Sequence, residues 1–391
     1  MDNLLRVENI EFLLTNACNM RCKYCFEGDH VTDKGSVDAE TVINYLKNNG
    51  ARNFYVFGGE PLLKLKELKK VIDFVKTSED INDHHRQDLL RGLRKITSNG
   101  TLINKNNIDL IKEMELSFQI SLDGYKEIND INRVFPSGKG TFDAVMKGIS
   151  LLQENNIPWS IHGVMNMNNA LHYLEIIQFL FNTYKKYKGI EEAVNYFNGN
   201  FSMFVFEDNF TDDFIDEFFE VLDKTAEWVL FSEDLNELSD DQRSTLFDNV
   251  IMRNRVGGVC GIGRGLKTSD EDYNIYPCHR LVVRKDTTLG NMHDSGNLKN
   301  VKLYNNLYRV PMRNIYSSGY FIPLQKGGKN ETLPWMMLCP ATNIETSENP
   351  RYTHSSYGIL IHELSYYTNY LKNKYFETNQ EDNNIQRKVS Y

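Results

Sequence analysis

The chain has 391 residues, 41% hydrophobic and 25% charged, which is ample material for a core and no mandate for disorder. Forty-four Lys and Arg against fifty-three Asp and Glu leave a net charge of −9, which argues against a general nucleic-acid binder. No apolar run approaches the roughly eighteen residues of a membrane span, and the opening MDNLLRVENI lacks the layout of a signal peptide, so a cytoplasmic protein with no membrane and no nucleic-acid partner is expected. In chain order, Phe54 to Phe57 reads as a strand ended at Gly58-Gly59, and Leu65, Leu68, Ile72 and Val75 then mark one helix face. Glu79 to Arg94 is a polar insertion whose His84-His85 reads as a solvated face. Phe118 to Leu122 is the next strand, ended at Asp123-Gly124. Phe142, Val145, Ile149 and Leu152 repeat at helical spacing, with Thr141 placed to cap. Ile157 to Val164 predicts a strand and Leu171 to Tyr184 a helix. Such alternation implies parallel strands joined by crossover helices, and an open or partial (β/α) barrel fits it best.

Residues 201–206, FSMFVF, predict a sixth strand. Thr211 with Asp212 and Asp213 opens an aromatic-rich helix, and a second helical stretch covers about 240–253. After Gly257 the helical period is lost, and short runs, turn residues and three cysteines continue to about residue 345. From about Lys372 the tail is rich in Asn, Gln and charge and reads as a frayed helix or disorder. The expected domains are therefore residues 1–210, a helical bridge over 211–256, a small cysteine-bearing domain over 257–345, and a helical extension with a polar tail over 346–391. The aromatics around 196–231 and 352–376 are expected to be core.

Six cysteines in so long a chain are too few for a disulfide scaffold. Cys18, Cys22 and Cys25 crowd into a loop just after an apolar strand, while Cys260, Cys278 and Cys339 are scattered over the last third. Three soft thiolates in a compact loop suit Zn²⁺ or an iron–sulfur cluster. Three ligands are one short of a closed zinc site, and on a four-iron cluster they leave one iron open. A zinc site completed by a distant residue, or buried thiols without metal, are the bland readings of the same spacing.

The pattern CxxxCxxC, with Tyr24 before the last cysteine, resembles the signature of the radical S-adenosylmethionine (radical SAM) superfamily. That resemblance implies a [4Fe–4S] cluster on Cys18, Cys22 and Cys25, with SAM chelating the open iron through its amino and carboxylate groups. One electron from the reduced cluster then cleaves SAM to methionine and a 5′-deoxyadenosyl radical, which takes a hydrogen atom from substrate. Gly58-Gly59-Glu60-Pro61 resembles the GGEP motif that holds the SAM amino group: glycines admit close approach of the backbone, and Glu60 can accept from the ammonium. Thr97-Ser98-Asn99-Gly100-Thr101 resembles the family's TNG segment, and Ser121-Leu122-Asp123-Gly124 its SLDG segment, where Ser121 and Asp123 would lie near the SAM ribose or substrate. Each segment alone is ordinary strand-end turn chemistry; together, at successive strand ends, they identify the family.

Cys260-Gly261-Ile262-Gly263-Arg264 followed by Tyr276-Pro277-Cys278-His279-Arg280 resembles the start of the SPASM/Twitch extension, which binds auxiliary clusters in maturases of peptides and proteins. Asn129-Asp130, Arg133 and Gly138 to Phe142 also resemble that subgroup. Three departures stand out. The usual glycine five positions before the second cysteine is Tyr273, no CxxC follows Cys278, and only Cys339 remains downstream. The resemblance thus implies one auxiliary [4Fe–4S] cluster on Cys260, Cys278 and Cys339, with a zinc site or core thiols as the alternative. Other signals fall away. Gly138-Lys139-Gly140-Thr141 is no Walker motif, because glycine follows the lysine; Gly261, Gly263 and Gly265 lack a strand-to-helix setting; His362-Glu363 has no second histidine four positions on.

The expected fold is thus a partial (β/α)6 TIM-like barrel with a small C-terminal Twitch/SPASM-like iron–sulfur domain. The expected function is radical modification of a ribosomally made peptide, by cross-link or epimerisation, with flavodoxin or ferredoxin as electron donor. Only seventeen residues precede Cys18, so no N-terminal leader-binding domain is expected. The alternatives are a maturase of a folded protein similar to anaerobic sulfatase-maturating enzymes, a small-molecule radical SAM enzyme, or a catalytically silent iron–sulfur or zinc scaffold that binds a partner.

Overall fold

A computed structural model describes residues 9–25, 28, 38–49, 53–196, 201–202, 211–251, 266–269, 272–278, 281–282, 284–294 and 367–377. The chain divides into two compact units, one of residues 1–164 with 260–312 and one of 165–259 with 313–391. The first begins with β1 (Asn9–Leu13), α1 (Ala39–Asn49), β2 (Asn53–Phe57), α2 (Leu65–Thr77), α3 (Asp83–Leu93) and β3 (Lys95–Ser98). It continues through α4 (Ile108–Glu113), β4 (Ser117–Ser121), α5 (Lys126–Asn132), α6 (Phe142–Glu154) and β5 (Trp159–Val164). The five strands pair in parallel in chain order, β1 to β5, each step made through helix. Side chains alternate across the strands. Ile10, Phe12, Phe54, Val56, Ile96, Phe118, Ile120, Trp159 and Ile161 are buried on one face. On the other, Gln119, Ser121, Ser160 and His162 remain half-buried. This is the parallel α/β architecture that the strand-helix alternation predicts.

Leu65, Leu68, Ile72 and Val75 are all buried along α2, as their spacing requires. The stretch expected as a polar insertion forms α3. Its first turn is polar and His84 is exposed, but Leu89, Leu90 and Leu93 are buried. Gly92 sits so close to β2 that a Cβ would lie 2.2 Å from the Phe54 carbonyl oxygen. Arg86 of this helix donates to the carbonyls of Val75, Lys76, Ser78 and Ile81, satisfying the end of α2. A correction concerns α6. Thr141 precedes it but does not cap it through its side chain. Asp130 Oδ1 takes the amides of Thr141 and Phe142 at 2.8 and 2.9 Å, because α5 ends alongside. The Thr141 hydroxyl is thereby left to donate to the Arg133 carbonyl.

The second unit contains α7 (Tyr173–Lys188), α8 (Ile190–Tyr196), β6 (Phe201–Ser202), α9 (Asp212–Phe231) and α10 (Asp240–Val250). Residues 203–206 of the expected sixth strand lie outside the described residues. Thr211 caps α9 by accepting from the Phe214 amide, and Ser239 with Gln242 forms a capping box on α10. The Tyr173 hydroxyl donates to the Val250 carbonyl at 2.8 Å, and Phe181 meets Trp228 edge-on, which ties α7 to α10 and α9. Residues 367–377 are helical and lie on α9, with Tyr367 stacked on Phe219 and Lys374 2.7 Å from Asp223. Among the described residues no helix is long and apolar enough to cross a membrane.

The chain then returns to the first unit as β7 (Leu266–Ser269), β8 (Asn274–Tyr276) and β9 (Gly290–Asn291). Strand β7 runs parallel to β1 on the edge away from β2, and β8 and β9 add antiparallel neighbours. Tyr273 has φ +63°. That left-handed conformation is where the SPASM pattern has glycine, and it costs a side-chain-bearing residue about 1–2 kcal/mol. The Tyr273 hydroxyl donates to Asp38 Oδ2 just before α1, a bond glycine could not make.

Candidate active site

The loop that carries Cys18, Cys22 and Cys25 is gripped from two sides. On one side the backbone ladder of β1 and β2 runs on past the strands: Leu14 N–H donates to Phe57 O, Gly59 N–H to Thr15 O at 2.7 Å, and Glu60 N–H to Ala17 O at 2.9 Å. A Cβ on Gly58 would lie 2.8 Å from Thr15 O, and one on Gly59 would lie 2.5 Å from Ala17 O. The two glycines are therefore needed for the approach of the two loops. On the other side, the amides of Arg21 and Lys23 donate to the carbonyls of Val134 and Asn132 at 2.8 and 2.9 Å, so Cys22 lies across from Arg133.

Glu60 is fully buried, and its carboxylate ties the end of β2 to the end of β3. Oε1 accepts from the Leu62 amide and the Ser98 hydroxyl, and Oε2 from the Asn99 amide at 2.8 Å. Burial pushes its pKa up to about 7, against the pull of these donors. Asn99 passes the connection on: its Nδ2 donates to Asn19 Oδ1 at 2.9 Å and lies 3.8 Å from Cys18 Sγ, while Asn19 Nδ2 donates to Thr101.

A buried ion pair forms the opposite wall. Asp123, after β4, accepts from Arg133 Nε at 2.9 Å, from the Val164 amide at 3.0 Å and from the Tyr24 hydroxyl at 2.5 Å. Arg133 lies over the Tyr24 ring, 5.4 Å from its centroid, and its charge acts on the Cys22 thiol. Burial opposes charge on Arg133, but the Asp123 carboxylate outweighs it and holds the guanidinium protonated. Burial raises the Cys22 thiol, and the Arg133 charge works the other way. The Asn129 side chain closes the turn, accepting from the Asp123 amide and donating to Asp130 and Thr141.

These residues fit an iron–sulfur cluster. Cys18, Cys22 and Cys25 are half-buried thiols, and burial pushes Cys18 up to about 12, so a thiolate there calls for a metal cation to hold it. Among the described residues no three His, Cys, Asp or Glu side chains converge tightly enough for a single ion. A four-iron cluster spreads three thiolates over three irons, so wider spacing suits it.

The structure thus brings Cys18, Cys22, Cys25, Tyr24, Gly58, Gly59, Glu60, Asn99 and Asp123 into one region at the C-terminal ends of β1 to β4, with Ser121 closing β4. Active sites of barrel folds sit at that end. Sequence reasoning did not single out Asn19, Thr101, Asn129 or Arg133 as site residues; Thr101 stood only within the TNG-like segment, and Asn129 and Arg133 only among the subgroup's residues, with no sign that the Arg133 charge acts on Cys22. Cys278 follows β8 as a half-buried thiol, whereas Cys260, Cys339, His279 and Arg280 lie outside the described residues.

Residues 12–180 match the family model described as the Radical SAM superfamily. Over 169 residues the chain is 32% identical to an uncharacterized protein of Methanocaldococcus jannaschii, covering 43% of this chain and 56% of that protein. It is 32% identical over 173 residues to a cysteine-type anaerobic sulfatase-maturating enzyme of Clostridium novyi, covering 41% and 44%. It is 30% identical over 167 residues to an Fe-coproporphyrin III synthase of Methanosarcina barkeri, covering 40% and 37%. The chain therefore spans about half the length, or less, of these relatives. Its fold is that of a solved structure of histidine-tagged anSMEcpe with bound AdoMet, at a TM-score of 0.52 and 21% identity, covering 76% of this chain and 79% of that one. Residues 12–180, with their cysteine loop and strand-end motifs, match the radical SAM superfamily, and that segment is a radical SAM domain.

Proposed function

We propose that the protein is a radical SAM enzyme that modifies a ribosomally made peptide at a C–H bond. The observation that carries this reading is the three-thiol loop held between the Gly58-Gly59 turn and the Arg133 segment. When bound, a [4Fe–4S] cluster and SAM supply one-electron cleavage of the sulfonium and, through it, hydrogen-atom abstraction from substrate. The chain's own residues orient and enclose. Cys18, Cys22 and Cys25 hold the metal; Gly58 and Gly59 offer backbone to the SAM amino group; Glu60 and Asn99 fix those loops. Tyr24, Ser121 and Asp123 line the ribose side, and the buried Asp123–Arg133 pair keeps that wall rigid and dry. A second cluster on Cys260, Cys278 and Cys339 belongs to the same proposal, as does an electron donor of the flavodoxin or ferredoxin class.

A second reading, maturation of a folded protein, is favoured by the similarity to the anaerobic sulfatase-maturating enzyme of Clostridium novyi. One experiment addresses both. Anaerobically reconstituted protein is incubated with SAM and dithionite, and 5′-deoxyadenosine is measured. The same protein is co-expressed with the products of neighbouring small genes or with a neighbouring sulfatase, and those are weighed by mass spectrometry. A mass change on the small product supports peptide modification, and one on the sulfatase moves the assignment to the second reading. Absence of 5′-deoxyadenosine sinks both.

A further inference from the structure

Helix α5 ends beside the cysteine loop, and its last residue is Asn132. The Asn132 carbonyl accepts from the amide of Lys23, directly after Cys22, at 2.9 Å. Its side chain is buried, at 2% exposure, and its Nδ2 meets no hydrogen-bond acceptor among the described residues. Leaving such a donor unmet costs about 1–3 kcal/mol. The surrounding turn is otherwise well satisfied. Asn129 Nδ2 donates to Asp130 and Thr141, the Arg133 guanidinium to Asp123, and the Thr141 hydroxyl to the Arg133 carbonyl. An open donor in so closed a turn, one residue from the group that faces Cys22, has room for an acceptor that the described residues do not provide.

We propose that Asn132 is a positioning residue of the cluster site, its Nδ2 donating to a sulfur of the [4Fe–4S] group carried by Cys18, Cys22 and Cys25. This inference rests on the radical SAM reading above. The sulfurs gain negative charge on reduction, so an N–H donor at one of them stabilises the reduced form and raises the potential. Asn132 then acts alongside Arg133: the guanidinium supplies positive charge at Cys22, and the amide supplies a neutral dipole that satisfies its own burial cost only when the cluster is present.

The test is a potentiometric titration of the reconstituted protein followed by electron paramagnetic resonance, without SAM; the relevant signal is the one that changes when SAM is later added. Asn132→Leu keeps the volume and removes the donor. At the wild-type midpoint potential its ratio of reduced to oxidised cluster is expected to fall about tenfold, a shift of ~59 mV for one electron, with iron content unchanged. Asn132→Ala, which adds no bulk, is read the same way should the leucine variant hold less iron. An unchanged midpoint in an iron-replete variant overturns the inference. So does a difference that appears only with SAM bound, which would put the acceptor on SAM. Wild-type protein that takes up no cluster overturns the radical SAM reading itself. A wild type that cleaves SAM alongside variants with unshifted potentials overturns only the role of Asn132.

Discussion

Replacing Gly59 by alanine would put a methyl carbon 2.5 Å from the Ala17 carbonyl oxygen and 2.7 Å from that of Asn16. Both are backbone atoms in the segment that delivers Cys18, so no side chain can swing away. A Cβ essentially never approaches within 3.0 Å of another heavy atom, so the two loops must part by at least about 0.5 Å. That movement stretches the Gly59–Thr15 and Glu60–Ala17 hydrogen bonds, now 2.7 and 2.9 Å. Each is worth about 1 kcal/mol, and overpacking adds roughly 1–3 kcal/mol. We expect Gly59→Ala to lose about 2–4 kcal/mol in urea unfolding of the metal-free protein, seen as a lower midpoint at unchanged slope. Iron retained after reconstitution should fall as well, because Cys18 moves with the loop. Gly138→Ala is the control: its φ is +81°, but nothing lies within 4 Å of the added carbon, so it carries backbone strain without a clash. A Gly59→Ala variant as stable and as iron-rich as wild type would refute the close-approach reasoning.

Two further perturbations test the electrostatics. Asp123→Ala strips Arg133 of its counter-charge in a buried setting and leaves the Val164 amide and Tyr24 hydroxyl without their acceptor; about 3–5 kcal/mol should be lost. Pairing it with Arg133→Met should recover part of that loss, and equal instability of the single and double variants would show that the pair is not the cause. Glu60 supplies a pH dependence. Burial raises its pKa to about 7 in the fold, so between about 4.5 and 7 the folded chain holds a proton that the unfolded chain has released. Its contribution to stability therefore declines as pH rises through that window, by about 3 kcal/mol in all. Relative to wild type, Glu60→Gln should gain stability steadily from pH 4.5 to 7 in chemical denaturation. A pH-independent difference would mean that the buried carboxylate ionises normally.

The alternation of apolar strands with helix faces was enough to find β2, β4, β5, α2 and α6, because burial on a sheet or a helix imposes its period on neighbouring residues. The same pattern failed for α3. Its first turn is almost wholly polar and its apolar contacts come from Leu89, Leu90 and Leu93 with Gly92 between, too short a run to declare a face. Thr141 looked like a cap because cap chemistry is usually local, yet the carboxylate that satisfies those amides comes from Asp130, eleven residues earlier.

What the sequence alone determined about this protein is its covalent vocabulary: three cysteines at fixed spacing, a double glycine before Glu60, and polar groups set at successive strand ends. Such short motifs work through residues a few positions apart, and so they can be read in one dimension. Only the tertiary structure decided that Glu60 ties the ends of β2 and β3 together, that Arg133 neutralises Asp123 while its charge acts on Cys22, and that Asn132 is buried with a donor unmet among the described residues. Those facts depend on which loops meet when parallel strands lie side by side. Charge and hydrogen bonding act through space, and no spacing along the chain encodes that distance.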